Sequence, residues 1–395
     1  MKTLDPALLG MPVERFLARH WQKRPLLVRG AFPGFRDPVS PDELAGLACE
    51  DGVESRIVRE RGGAHPWEVT WGPQEEATFS DLPARGWTLL VQEVNRWVPD
   101  AALLLDRFSF LPNARVDDVM VSYAAPGGSV GPHLDSYDVF LVQGMGERRW
   151  RYDTRPTRET AFRPGLDLRI LRRFRPDADE VLGPGDMLYL PPGFAHHGVA
   201  VRDCLTYSIG FRSPSAGETW IAFAAEAAAR QRHAAELLRD PPLSGDADPG
   251  AIPPALLGRV RALVRSLDLS DREIDRWFAS FATRLKPGHE LEAPRRPVAM
   301  KDALARLARG AEVVRSEEAR WAYLPRGRAL ALYVGGAEIE VASGAAPLAR
   351  ALAASRRMPG AALRPLLATA AARALFARLL ALGAITVAAR RVRGR

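Results

Sequence analysis

The first half of the chain alternates short apolar runs with turn residues, a pattern typical of a strand-rich domain. The strand-like runs are WTLLVQEV, DDVMVSYAA, YDVFLVQGMG, DMLYLPPG and CLTYSIGFR. Their short length and turn-rich spacing favour a β-sandwich or barrel over a parallel sheet. Helical patterns near VERFLARHW and PDAALLLDRF predict helices that pack on the outside of this barrel.

The hydrophobic period changes after residue 214. It becomes helical at SAGETWIAFAAEAAARQRHAAELLRD. A Pro-, Gly- and Asp-rich break, DPPLSGDADPGAIPP, precedes a second helical stretch, and KPGHELEAPRRP then resembles a linker. The remaining pattern of helix, three short strands and further helices suits a winged-helix module. We therefore predict an α+β chain with a barrel in residues 1–214, a helical region in 215–290 and a winged-helix-like domain in 291–395.

Two histidines and one aspartate stand out in the barrel region. In a β-strand, residues i and i+2 point to the same face, so His133 and Asp135 of GPHLDSYDV project together. His196 follows the apolar run and Pro-Pro-Gly turn of DMLYLPPG, which puts it at the mouth of another strand. Two imidazoles and one carboxylate are the protein ligands of non-haem Fe(II) oxygenases. By residue type alone, a pairing of His133 with Asp138 stays open.

Strand alternation extends this prediction along the strand that carries the first two ligands. If they face the barrel interior, Tyr137, Val139 and Leu141 face it too. Asp138 then faces away from the interior, which makes it the weaker ligand candidate.

The segments VGPHLDSYDVFLVQGMGERRWR and GDMLYLPPGFAHHG resemble the Jumonji-C ribosomal oxygenases, in particular their bacterial YcfD-like branch. The resemblance begins at FLARHWQKRPLLVRGAFPGF and is strongest in the barrel. It implies a double-stranded β-helix of the cupin/JmjC type, a helical region that mediates homodimerisation and a winged-helix-like C-terminal domain. It also implies an Fe(II)- and 2-oxoglutarate-dependent dioxygenase that uses O₂ to 3-hydroxylate an arginine of a large-subunit ribosomal protein.

The resemblance also assigns roles to individual residues. It selects His196 rather than the adjacent His197 as the third metal ligand. It aligns the basic residue that binds the distal carboxylate of 2-oxoglutarate with Arg148, and the planar guanidinium suits that task because it can make two hydrogen bonds to a carboxylate. Arg149, one residue further, is expected to face the other way, as a surface charge.

The chain departs from the resembled branch at two polar positions near the co-substrate. The branch has a serine where this chain has Ala124 and an asparagine where it has Thr206. We predict that Ser122 and Thr206 take over the hydrogen bonds to 2-oxoglutarate.

An arginine substrate needs an acid at the end of its pocket and flat or apolar walls along its stem. Strand alternation places Asp118 and Met120 on one inner face, and Ser208 on the inner face of the strand CLTYSIGF. We predict that Asp118 and Ser208 receive the guanidinium, while Tyr137 and Met120 flank its methylene groups. The alternative is that Asp118 faces outward at the strand end and Asp117 faces inward.

The formal charge of +8 and the sequence pI of about 9.9 suggest a polyanionic partner. However, 51 of the 55 basic residues are arginine in a chain also rich in Ala, Pro and Gly, so a genome-wide codon bias explains the charge equally well. The same codon bias can explain the basic C-terminal sequence RRVRGR. Because no basic recognition helix stands out, we do not expect sequence-specific DNA binding.

Two cysteines are too few for a disulfide framework or a thiolate metal site. The N-terminus lacks a hydrophobic signal region, and the apolar, uncharged residues 379–389 are too few to cross a bilayer. We therefore expect a cytoplasmic protein with no membrane segment.

Two other functions remain open at this point. One is a cupin-type metalloenzyme that does not use 2-oxoglutarate, in which Arg148 is structural. The other is a non-catalytic protein whose basic ends bind the ribosome or a nucleic acid.

Overall fold

The computed structural model describes residues 8–61, 67–158, 161–230, 237–239, 241, 252–266, 270–286, 288–296 and 298–389. Most of the predicted break at 240–254 and the basic end 390–395 therefore lie outside the described residues. The α-helices are α1 Val13–Arg19, α2 Pro41–Cys49, α3 Glu76–Ser80, α4 Val94–Trp97, α5 Pro99–Asp106, α6 Ala216–Arg230, α7 Pro254–Arg265, α8 Asp271–Thr283, α9 Met300–Ala308, α10 Ala346–Ala354, α11 Gly360–Leu363 and α12 Ala370–Ala381.

The strands follow the predicted division into a strand-rich first half and a mixed C-terminal part. They are β1 Leu26–Val28, β2 Ser55–Glu60, β3 Trp67–Trp71, β4 Trp87–Val91, β5 Val116–Ala124, β6 Asp138–Gln143, β7 Arg148–Tyr152, β8 Ala178–Leu182, β9 Met187–Leu190, β10 His196–Ala200, β11 Cys204–Phe211, β12 Glu312–Arg315, β13 Trp321–Arg326, β14 Ala329–Val334, β15 Ala337–Val341, β16 Arg357–Pro359 and β17 Ile385–Ala388.

Two antiparallel sheets form the barrel. The larger has the order β1-β9-β6-β11-β5-β4-β2-β3, and the smaller has the order β10-β7-β8. An isolated bridge between His133 and His196 adds the ligand-bearing segment to the edge of the smaller sheet. From β5 onward the chain crosses repeatedly between these two facing sheets: β5, β6, β9 and β11 lie in the larger sheet, and β7, β8 and β10 lie in the smaller one. This arrangement confirms the double-stranded β-helix of the cupin/JmjC type.

Strand β6 is buried on both faces and separates two cores. Its Val139 and Leu141 point into the barrel, where they pack with Trp150 of the smaller sheet. Its Phe140 and Val142 point outward into the core formed with the N-terminal helices. This double burial explains why the strand is a nearly continuous apolar run rather than an alternating one.

The N-terminal helices cover the outer face of the large sheet, as predicted. Phe16 of α1 lies 5.8 Å from the ring of Phe140 and 5.1 Å from that of Tyr189. Phe108, which follows α5, lies 4.5 Å from Phe140. These aromatic contacts fix the outer side of the sheet whose inner side forms the barrel.

An aromatic cluster holds two helices of the helical region, α6 and α8, together. Trp277 of α8 is buried, and its ring lies 5.2 Å from Phe223 of α6 and 5.1 Å from Phe281. Its indole nitrogen donates to Glu226. Two other apolar side chains of α6, Trp220 and Ile221, are more than 70% exposed, so they have no cover within the described part of the chain.

The C-terminal part has its own core beneath two three-stranded sheets, β16-β12-β17 and β13-β14-β15. Helices α9, α10 and α12 supply buried residues such as Leu307, Leu348 and Phe376. Cys49 is half-buried and Cys204 is buried, both as free thiols. Among the described helices, none is long and apolar enough to cross a bilayer.

Candidate metal centre and active-site cavity

Three side chains converge inside the barrel. His133, Asp135 and His196 present ligand atoms that all lie within 4.8 Å of one another. Asp135 Oδ1 is 3.8 Å from His133 Nε2, and Asp135 Oδ2 is 3.5 Å from His196 Nε2. The three donors therefore surround one small space, as the ligands of a single metal ion do.

Backbone carbonyl groups orient both imidazoles of this cluster. His133 Nδ1 donates to Gly131 O and His196 Nδ1 donates to Phe194 O, each at 3.0 Å. A carbonyl oxygen can only accept a hydrogen bond, so each Nδ1 carries the proton and the neutral ring keeps its lone pair on Nε2. Metal-binding histidines are held in this way by hydrogen bonds behind the ligand atom. Burial, together with His133, lowers the pKa of His196 to about 4, so its ring is neutral near pH 7.

One detail of the sequence prediction is wrong. His133 and Asp135 do not lie on a regular strand, because β6 begins only at Asp138 and the ligand segment pairs with β10 through the single bridge. The alternation nevertheless holds further along: Tyr137, Val139 and Leu141 line the same cavity as the cluster.

Asp138 lies on the other side of the sheet. It is fully buried, accepts a hydrogen bond from the hydroxyl of Tyr189 at 2.6 Å and from Gln22 at 3.1 Å, and pairs with Arg115 at 3.1 Å. Its partners belong to the outer core, so the alternative pairing of His133 with Asp138 does not occur.

The second histidine of the adjacent pair points elsewhere. His197 Nε2 lies 2.7 Å from the hydroxyl of Ser129, and its ring lies edge-on against Phe174. Burial and nearby cations, Arg151 first among them, lower the pKa of His197 to about 4. His197 therefore belongs to the packing beside the site and not to the cluster of ligand atoms.

Arg148 is a buried cation in the wall of the same cavity. Its side chain donates to the hydroxyls of Ser122 at 3.0 Å and Thr206 at 3.2 Å. Burial lowers the pKa of its guanidinium, and none of the described carboxylates forms an ion pair with it. An isolated buried charge is costly, so this position is suited to an anionic ligand.

Trp150 and Gly198 pack closely against the side chain of Arg148. Its guanidinium lies over the ring of Trp150, with 5.3 Å between them. A Cβ at Gly198 would come within 3.0 Å of Arg148 Nε and 2.7 Å of Trp150, so only glycine fits there. Arg149 faces the outside, as predicted, and makes two hydrogen bonds to Asp179, at 2.7 and 2.9 Å.

The cavity that contains the metal cluster and Arg148 has a volume of about 250 Å³. Three of the four residues predicted to contact substrate line it: Met120, Tyr137 and Ser208. Burial raises the pKa of the Tyr137 hydroxyl, and Asp135 raises it further. Sequence reasoning missed two of the cavity's basic residues, Arg56 and Arg169; only contacts between distant segments bring these to the site.

Asp118 lies next to the cavity but is not among the residues that line it. It is buried, as the inward-facing prediction requires, and accepts a hydrogen bond from the backbone N–H of Glu93 at 3.0 Å. Burial and the neighbouring Asp117 raise the pKa of Asp118 to about 7, while Lys286 opposes that rise.

Asp117 points away from the cavity. It pairs with Arg212 at 2.8 Å and with Arg320 of the C-terminal part at 3.0 Å. Burial opposes its ionisation, but these two cations hold its pKa below the usual value. The alternative in which Asp117 faces inward is therefore wrong.

Ala124 and Thr206, the two positions at which this chain differs from the resembled branch, have different surroundings. Ala124 packs in a small apolar cluster with Ala200 and Cys204. Thr206 accepts from Arg148 and lies 3.3 Å from Gln143 Oε1, to which its hydroxyl donates.

With the geometry established, comparison with known proteins identifies the family. A model of the JmjC domain matches residues 103–219, and a model of the ROXA-like winged helix matches residues 263–386. The ribosomal protein uL16 3-hydroxylase of Escherichia coli is 41% identical over 294 residues, which cover 73% of this chain and 77% of that protein. The chain belongs to the ribosomal oxygenases.

Three further comparisons agree with this placement. A probable ribosomal oxygenase of Haemophilus influenzae is 42% identical over 203 residues, which are 51% of this chain and 50% of that protein. The X-ray structure of Escherichia coli YcfD superposes with a TM-score of 0.80 at 35% identity and covers 96% of this chain and 99% of its own. Another ribosomal oxygenase structure, YcfD with cobalt and 2-oxoglutarate, has a TM-score of 0.76 at 35% identity over the same shares.

Proposed function

We propose that this protein is an Fe(II)- and 2-oxoglutarate-dependent dioxygenase that 3-hydroxylates an arginine of the ribosomal protein uL16. One observation carries the proposal: a cluster of two histidines and one aspartate shares a cavity with a buried guanidinium that has no described anionic partner. A metal site alone suits many reactions, but the additional cation matches a co-substrate that chelates metal at one end and carries a carboxylate at the other.

In this proposal, His133, Asp135 and His196 hold the iron. Their donor set fits Fe(II), and the backbone acceptors behind each imidazole keep the lone pairs directed at the metal. With iron held there, the metal and 2-oxoglutarate would supply the O₂ chemistry: conversion of 2-oxoglutarate to succinate and CO₂, coupled to hydroxylation of an unactivated C–H bond. The chain supplies orientation and excludes water.

Arg148 binds the distal carboxylate of 2-oxoglutarate. The hydroxyls of Ser122 and Thr206 keep its guanidinium in place and can share the contact with the co-substrate. Because the site is buried, these charge-assisted hydrogen bonds are stronger than they would be in water. Ala124 offers no hydrogen bond, so the polar contacts differ from those expected of the resembled branch.

The substrate arginine enters the same cavity. Tyr137 and Met120 provide flat and apolar walls for its methylene groups, and Ser208 offers a hydroxyl. Asp118 lies behind this wall and is the acid that attracts the guanidinium. The side chains in front of Asp118 must therefore move aside when substrate binds, so that the guanidinium can reach its carboxylate. A cation at that position would also favour the ionised form of Asp118.

The domain organisation is part of the proposal. We assign residues 1–214 to the oxygenase barrel, 215–290 to a helical dimerisation region and 291–395 to the winged-helix-like domain. Exposure of Trp220 and Ile221 supports a homodimer, because α6 carries apolar surface that its own described chain does not cover. A ribosomal protein substrate also implies a cytoplasmic location.

The two rival functions are less well supported. A cupin-type enzyme without 2-oxoglutarate would bury Arg148 with no ligand to compensate its charge. A non-catalytic ribosome-binding protein would have no use for three converging ligand atoms at the bottom of a cavity.

The decisive experiment is to mix the protein with Fe(II), 2-oxoglutarate and purified uL16 in air. We expect succinate release that depends on all three additions, and a mass increase of one oxygen atom on an arginine of uL16. Succinate release with no modified uL16 would refute the substrate. Neither product, in protein shown to bind Fe(II), would refute the enzyme.

A further inference from the structure

The connection between β7 and β8 includes a basic hairpin beside the cavity. We call residues 161–175 the arginine hairpin. Phe162 and Leu171 form an antiparallel bridge across it. Leu171 N donates to Pro132 O at 2.8 Å, and Ile170 is 1% exposed and lines the cavity. These contacts fix the hairpin against the segment that carries the first metal ligand.

The arginine hairpin carries five arginines and one acidic residue, Asp167. All five arginines are exposed, and none forms an ion pair with any described carboxylate. By contrast, Arg149 on the adjacent strand makes two hydrogen bonds to Asp179. Codon bias explains why a basic residue is arginine, but not why basic residues outnumber acidic ones by five to one in this hairpin. The five are Arg163, Arg169, Arg172, Arg173 and Arg175.

Aromatic rings support two of these guanidinium groups. Arg169 lies 4.4 Å from the ring centre of Phe162, and Arg163 lies 5.6 Å from that of Trp67. A guanidinium stacked on a ring keeps its edge free to donate hydrogen bonds, and it suits phosphate groups because the two geometries match. Arginines interleaved with aromatic side chains are typical of surfaces that bind single-stranded nucleic acid.

The charge of the hairpin has the wrong sign for the proposed substrate. An arginine side chain is a permanent cation, and a rim of uncompensated arginines raises the free energy of its approach. Another component with negative charge would remove this repulsion. RNA is the negatively charged component that fits the proposed substrate, because a ribosomal protein is bound to RNA in the ribosome.

We propose that the arginine hairpin binds the phosphate backbone of RNA at the mouth of the cavity. The choice of RNA over other polyanions rests on the proposed function. RNA held there would offset the positive rim while a protein segment bound to it enters the cavity. The interaction is with the backbone and is independent of base sequence.

The test measures RNA binding directly and requires no turnover, so its outcome is separate from that of the hydroxylation assay. Fluorescence anisotropy would follow the intact protein with a short fluorescein-labelled single-stranded RNA of mixed sequence, between about 50 and 200 mM salt. The test variant combines Arg172→Gln, Arg173→Gln and Arg175→Gln and leaves the buried anchor of the hairpin unchanged. Circular dichroism melting checks that each variant folds.

The matched control removes the same charge elsewhere. It combines Arg306→Gln, Arg309→Gln and Arg328→Gln, which are all exposed in the C-terminal part. We expect the hairpin variant to bind RNA at least roughly tenfold more weakly, and its salt slope to fall by about 2, since each phosphate contact contributes about 0.7 for single strands. The control should retain nearly all of the affinity and slope.

Several results would overturn the proposal. Wild-type protein without measurable RNA binding at the lowest salt would do so. Equal losses in the two variants would show that net charge alone governs binding, and a loss only in the control would move the site to the C-terminal part. A poly-glutamate peptide that binds as tightly as the RNA would show a general polyanion surface, which also contradicts the proposal.

Discussion

Replacing Arg148 by methionine tests the co-substrate site most directly. The change keeps an apolar chain of similar length but removes the guanidinium that donates to Ser122 and Thr206. Only 3% of Arg148 is exposed, so the lost charge is one that water does not screen. The three metal ligands are untouched, and metal affinity should stay nearly unchanged.

The magnitude follows from the lost interaction. A hydrogen bond to a charged group contributes about 1.5–3 kcal/mol, so Arg148→Met should weaken 2-oxoglutarate binding roughly tenfold to a hundredfold. The free energy of unfolding of the protein without 2-oxoglutarate should, by contrast, increase or stay the same. A buried cation with no anionic partner is destabilising, and even the replacement of a complete buried ion pair by packed apolar side chains is often neutral or stabilising by about 1–4 kcal/mol.

Two measurements check this pair of effects. Calorimetric titration of the metal-loaded protein with 2-oxoglutarate, without O₂, gives the affinity, and thermal melting with and without 2-oxoglutarate gives the stability. Without 2-oxoglutarate, Arg148→Met should melt at the same temperature as wild type or at a higher one. Addition of 2-oxoglutarate should raise the melting temperature of Arg148→Met less than that of wild type. Arg149→Met is the control, since that side chain is paired on the outside with Asp179. A loss of affinity in Arg149→Met alone, or wild-type affinity in Arg148→Met, would refute the reasoning.

Three further predictions concern the metal, the substrate and the assembly. His196→Ala should abolish tight metal binding in calorimetry while His197→Ala retains it, and the reverse result would exchange their roles. Burial raises the pKa of Asp118 to about 7, and a guanidinium binds the ionised carboxylate, so the KM for an arginine peptide should fall as the pH rises through 7. Asp118→Asn should make KM nearly independent of pH in this range, and a variant with the wild-type pH profile would contradict the assignment. Trp220→Ser combined with Ile221→Ser should convert a homodimer to a monomer in light scattering, and monomeric wild type at micromolar concentration would count against the dimer.

Five of the eleven barrel strands that the structure describes were predictable, because they are apolar runs between turn residues. All five predicted runs contain strands, namely β4, β5, β6, β9 and β11. The strands that were missed, such as β3 and β8, have sequences WEVTW and ADEVL with exposed or half-exposed positions along most of their length. One-sided or edge strands give a weaker hydrophobic signal, since only part of each strand is buried.

The metal cluster was predictable as a set of residues, but its local geometry was not. The spacing of His133 and Asp135 suggested a strand, whereas the structure brings them together through one bridge to His196. The inward direction of Asp118 followed from alternation in β5, a regular strand. Its partners Glu93 and Lys286 could not be foreseen, because they come from segments far apart in sequence that meet only in the folded chain.

The contacts of Asp117 and Glu93 limit how far the parts of this protein can be separated. Arg320 pairs with Asp117 at 3.0 Å, and Lys286 lies 3.6 Å from a carboxylate oxygen of Glu93. Both cations come from outside the barrel, so a barrel produced alone would leave these acids with fewer compensating cations, although Asp117 would keep its ion pair with Arg212. The barrel and the regions that follow it in the chain are therefore not interchangeable modules. A foreign winged-helix domain could be grafted onto this chain with function intact only if it supplied an equivalent of Arg320, so substitutions in the barrel and in the C-terminal part are expected to constrain one another during evolution.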